Sequence, residues 1–140
     1  MPLSNVQSKT SSSLEYFAER HRSLAESYSV DCLVIARELA KRLLREGKQP
    51  YIATMVRLEQ WKQGAFYGPI IPVRYSGRVT FTRHYVCCCD GLAYDPLLEK
   101  PAVLDEYSLQ AFAMNIPIQT FIPPEGMQEY LAKAVGYARI

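Results

Sequence analysis

Apolar residues recur with two different periods along this chain, helical before about residue 48 and mostly alternating or clustered after it. In "VDCLVIARELAKRLLREG", Cys32, Ile35, Ala36, Leu39 and Leu43 form one apolar face, while Arg37, Glu38, Lys41, Arg42 and Arg45 point elsewhere. That spacing predicts an amphipathic helix. Ser29 or Asp31 can cap its start, Gly47 supplies a left-handed stop, and the basic last turn complements the helix dipole. A second helix is predicted just before it, in "SSSLEYFAERHRSLAESYS", with Leu14, Phe17, Ala18, Leu24 and Ala25 broadly on one side and serines available as caps. His21 in this segment reads as a surface or half-buried helix residue, and residues 1–10 read as a flexible polar tail.

Beyond residue 48 the pattern changes. "QPYIATMVRLEQW" is rich in β-branched and aromatic residues and predicts a strand. "KQGAFYGPIIPVRYSG" carries Gly and Pro punctuation and predicts a loop with short extended pieces. "RVTFTRHYVCCC" predicts a strand, "DG" a tight turn, and "LAYDP" the returning arm of a hairpin. A short helix in "VLDEYSLQAFAM", an extended "IPIQTFIPP" and a final helix in "EGMQEYLAKAVGYARI" complete the order. The expected fold is one α+β domain over residues 11–140, with helices packed on one side of an antiparallel sheet.

Composition narrows the function classes. The chain has 140 residues, 49% of them hydrophobic, with ten Tyr and a net charge of +2. It is large enough to bury its own core and too balanced in charge to suggest a nucleic-acid partner. No stretch approaches the roughly 18 apolar residues of a membrane span, so no membrane partner is expected. The opening "MPLSNVQSKTSSS" lacks the apolar core of a secretory signal, and the expected location is the reduced cytoplasm. Cys87, Cys88 and Cys89 are adjacent on a predicted strand and alternate between its faces, which fits small hydrophobes rather than a zinc half-site. No metal or cofactor is expected.

The hairpin holds the candidate chemistry. With Asp90 and Gly91 at the centre of a type I′ turn, Cys89 opposes Leu92 and Asp95 opposes Val86. His84 lies two residues from Val86 and shares that face, so His84 and Asp95 become diagonal neighbours about 7–8 Å apart at the backbone. Pro96 cannot donate to the ladder, so pairing is expected to end at Asp95. An imidazole oriented by a carboxylate serves a nucleophile on its other side. Cys32 is the candidate, because a helix N-terminus and a nearby imidazole both favour a thiolate. Each residue also has a plainer reading: a core cysteine, a structural strand histidine, and an aspartate ending a strand.

"DCLVIARELAKRLLREG" followed by "RHYVCCCDGLAYDP" resembles the papain-like cysteine hydrolase superfamily over roughly residues 29–98. The resemblance is to its small bacterial NlpC/P60-like, transglutaminase-like and papain-fold deamidase branches. It implies a Cys-bearing helix packed on an antiparallel sheet. Cys32 would be the nucleophile, His84 the general base and then acid, and Asp95 the orienting group. The sequence departs from papain proper at Leu33, where a Trp is expected, and at Glu26, which stands where a Gln would stabilise the oxyanion. Tyr28, Ser29 and the "LEQWKQG" loop are alternative sources of that second donor. The implied substrate is a peptide, a protein or a small amide, with Trp61, Tyr67 and Tyr75 as possible cleft residues. A papain-fold binding module without catalysis is the alternative.

Overall fold

The computed structural model describes residues 11–26, 32–74, 80–127, 129 and 131. Among them the fold is α+β. In chain order the elements are α1 (Ser12–Glu26), α2 (Cys32–Arg45), β1 (Tyr51–Trp61), β2 (Gly64–Gly68), β3 (Arg83–Cys89), β4 (Leu92–Tyr94), β5 (Ala102–Val103), α3 (Leu104–Phe112) and β6 (Ile118–Ile122), followed by a 3₁₀ turn at Pro124–Gly126. The six strands form one antiparallel sheet in the order β2-β1-β3-β4-β5, with β6 also paired to β1. No helix among the described residues is long and apolar enough to cross a membrane. The predicted tail at 1–10 and most of the predicted final helix lie outside the described residues.

Helix α2 ends in a Schellman arrangement. Gly47 sits at φ +83°, its N–H donates to the Leu44 carbonyl at 3.0 Å, and the Lys48 N–H donates to that of Leu43 at 3.0 Å. Ser11 caps α1 by accepting the Leu14 N–H at 3.2 Å, and the Glu46 carboxylate accepts the Ser13 N–H at 2.8 Å. The two helices are thereby tied end to end. One residue departs from the predicted helix face: Arg37 is only 8% exposed. Its long stem tolerates burial, although among the described residues its Nε has no hydrogen-bond partner.

Both faces of the central strands are apolar, and this alters the expected layering. Ile52, Cys87 and Cys89 pack with Leu39 and Leu43 of α2 and Phe17 of α1. Ala53, Met55, Val86 and Cys88 point the other way and pack with Tyr107, Ala111 and Phe112 of α3. The sheet is therefore covered on both faces, with α3 opposite the first two helices rather than beside them. The segment after Trp61, predicted as a loop with short extended pieces, contains one such piece paired to β1. It folds back as β2, with Trp61 opposite Gly64 across a two-residue turn. Gly64 there adopts φ +132°, a conformation only glycine accepts without strain.

Candidate active site

The β3–β4 hairpin has the expected register: Cys89 faces Leu92, Cys88 faces Ala93 and Cys87 faces Tyr94. Asp90 at φ 53° and Gly91 at φ 77° give the turn its I′ character. Pairing stops at Tyr94, one residue earlier than expected, because Asp95 turns the chain by itself. Its Oδ1 accepts the Leu97 N–H at 3.0 Å and its carbonyl accepts the Leu98 N–H at 2.9 Å, with Pro96 at the corner.

His84 and Asp95 meet directly. The His84 Nε2–H donates to Asp95 Oδ2 at 2.7 Å, with His84 1% and Asp95 5% exposed. The imidazole is clamped between Phe81, 4.4 Å away between ring centres, and Phe112, 5.3 Å away. Tyr107, itself 1% exposed, donates its hydroxyl to the same Oδ2. Three donors thus converge on one buried carboxylate. Burial alone would raise the Asp95 pKa, but His84, Tyr107 and the Leu97 amide outweigh it and hold the carboxyl below its usual range. Burial likewise opposes the charge on His84. The Asp95 carboxylate and the Cys32 thiol outweigh it and push the imidazole up to about 10. Burial, then the negative Asp95 beside it, pushes the Tyr107 phenol well up, so it stays a donor.

Cys32 reaches this pair from the sheet edge. Strand β3 pairs with β1 from Arg83 to Cys88, whereas β4 covers it only from Cys87 to Cys89. Among the described residues no strand covers the outer edge of β3 at residues 83–86, since the chain leaves at Pro96. The first turn of α2 fills the opening, and the Tyr85 N–H donates to Cys32 Sγ at 3.5 Å. Cys32 is half-buried and shares a crevice with His84, Asp95, Leu24, Ile35 and Pro96. The crevice has room for about 10 Å³, one water at most. Among the described residues, buried His84 Nδ1 has no hydrogen-bond partner.

The other expected residues stand elsewhere. Tyr67 lies on β2 opposite Leu58, half exposed, and does not line the crevice. The Trp61 side chain, the Glu26 side chain and all of Tyr28, Ser29, Asp31 and Tyr75 lie outside the described residues. "LEQWKQG" is the tip of the β1–β2 hairpin rather than a loop beside the thiol. Cys87, Cys88 and Cys89 are wholly buried, and burial raises all three thiols, Cys88 to about 12. No group of three or more His, Cys, Asp or Glu among the described residues is arranged to hold a metal ion. His21 donates through Nδ1 to the Pro96 carbonyl at 2.9 Å while Nε2 accepts from Arg74 at 2.7 Å, tying α1 to the turn after Asp95. Tyr107 and the Tyr85 amide carried no sequence motif. Only the tertiary approach of α3 and the open edge of β3 bring them to the site.

Compared with known proteins, the chain matches no family model, and neither curated proteins nor solved structures provide a match.

Proposed function

We propose that this chain is a cysteine hydrolase or acyltransferase acting on amide bonds, with Cys32 as nucleophile, His84 as proton carrier and Asp95 as orienting group, on a papain-like scaffold. One observation carries the reading: the buried His84 ring spends Nε2 on Asp95 and, among the described residues, leaves Nδ1 without a hydrogen-bond partner in the crevice it shares with Cys32. With its pKa at about 10 the ring is a cation at neutral pH, so the resting pair is an imidazolium beside a sulfur. The Cys32 sulfur attacks the carbonyl carbon as the thiolate, its proton having passed to His84 Nδ1, and the carbonyl π electrons move onto oxygen. As that tetrahedral intermediate collapses, the C–N bond breaks and the Nδ1 proton passes to the departing amine or ammonia. A thioester and a neutral imidazole remain. Water then loses a proton to Nδ1 and displaces the sulfur, giving the acid. An amine in place of water gives transamidation.

The test is the pH dependence of alkylation at each cysteine, mapped by mass spectrometry in the native protein and in His84→Ala. Cys32 is expected to react fastest of the four at neutral pH and to lose that reactivity without His84. A Cys32 that reacts only after unfolding overturns the reading.

The small volume at the thiol favours a second reading. About 10 Å³ between the described residues admits no substrate carbonyl, which fits a binding module that keeps the scaffold without the chemistry. An inert Cys32 in the alkylation experiment selects it.

A further inference from the structure

We infer that Tyr107 is a positioning residue of this site, which fixes the Asp95 carboxylate so that His84 presents Nε2 to the acid and Nδ1 to the Cys32 side. The inference rests on the reading of Cys32 and His84 just given. Asp95 is anchored at both oxygens. Oδ1 accepts the Leu97 N–H, and Oδ2 is shared between the Tyr107 hydroxyl and His84 Nε2. A carboxylate held only by the Leu97 amide and one imidazole could rotate about its Cβ–Cγ bond and carry the ring with it. The phenol on Oδ2 closes that freedom. It also takes part of the negative charge that His84 would otherwise meet undiluted.

The anchor comes from the opposite layer of the molecule. Tyr107 sits in the first turn of α3, whose start is tied to the hairpin by the Leu104 N–H donating to the Gly91 carbonyl at 2.9 Å. Its ring meets Phe112 edge-on at 5.9 Å, and Phe112 in turn flanks the His84 imidazole. One short helix therefore sets the acid through a hydroxyl and the base through a ring. No exposed group is involved, so solvent offers no substitute donor when the hydroxyl is removed.

The experiment compares wild type, Tyr107→Phe and a protein carrying fluorotyrosine at position 107. Two quantities are read, the proton resonance of the His84 Nε2–H and the alkylation rate of Cys32 at neutral pH. Phenylalanine keeps the ring packing and removes the donor. Asp95 then becomes a stronger acceptor for His84, so the resonance is expected to move downfield, and Cys32 alkylation to slow about tenfold, the scale of one hydrogen bond to a charged group. Fluorotyrosine, a stronger donor, is expected to move the resonance upfield. The opposite signs cannot come from lost packing, and the fluorotyrosine arm remains informative if Tyr107→Phe fails to fold. Resonances that stay in place in the folded variants overturn the assignment, whatever happens to the melting temperature. A wild-type Cys32 that is inert, with the resonance still moving as described, removes the thiol chemistry of the preceding section and leaves the coupling of Tyr107 to His84 standing.

Discussion

A carboxylate and an imidazole buried together stay charged only because each supplies what burial takes from the other, and this gives the pair a signature in pH. His84 is raised from its ordinary 6.5 to about 10, so its contribution to stability is fully present below about 6.5 and is lost as pH climbs through 10. Asp95 is lowered from its ordinary 3.8, so its contribution is present above that value and is lost as pH falls through the depressed folded value. Both are in force between about 3.8 and 6.5, where the melting temperature should peak. Above that window thermal melts should show a steady decline toward alkaline pH. Asp95→Asn should flatten the decline and cost about 3–5 kcal/mol in denaturant titrations, since it leaves a buried ring without its counter-charge. A variant with the same alkaline slope as wild type would place the titrating group elsewhere.

At the scale of elements, the hairpin is what aligns the pair. Its two-residue turn fixes the register, and a slip of one position would send Asp95 or His84 to the wrong face. Gly91 stands at φ +77° with open space where a side chain would go. Gly91→Ala should therefore cost about 1–2 kcal/mol from backbone conformation alone, measured as a shift in the urea midpoint with an unchanged slope. This hairpin was legible in the sequence because turn chemistry and strand period are local properties, and "DG" between two apolar runs carries both. So were α2 and its Gly47 stop. In the segment after Trp61 a short extended piece was legible, but its pairing with β1 as β2 was obscured by the Gly and Pro residues that punctuate it. Strand β5, two residues long, is too short to have a period, and it is the element that brings α3 back to the sheet. Without it Tyr107 could not be assigned to the site from sequence. The stop at Tyr94 was misjudged by one residue because Asp95 bonds its own turn, a choice between side-chain and ladder hydrogen bonds that spacing does not decide.

For the whole molecule, a sheet covered on both faces places the cysteine run at its centre. Cys87 and Cys89 belong to the core under α2, and Cys88 to the core under α3. With all three wholly buried and their thiols raised by burial, labelling at these positions should require global opening. Their alkylation rates in native protein should be equal to one another and should track stability as denaturant is added. A faster rate at one of them would reveal local opening of the sheet.

The edge of β3 left by the chain at Pro96 and filled by the first turn of α2 has a consequence for how the protein survives in a crowded solution. An uncovered strand edge is a template for pairing with another chain, and the edge of β3 from Arg83 to Val86 is covered by helix rather than strand. The helix turn that brings the sulfur to the histidine is also the cover over that edge. A bulky adduct on Cys32 should lever the cover away, so a modified population should self-associate, visible as rising light scattering, while protein treated with a small alkylating agent stays clear. Chemistry and colloidal safety would then hang on the same turn of helix, and damage to the thiol would be felt first as loss of solubility.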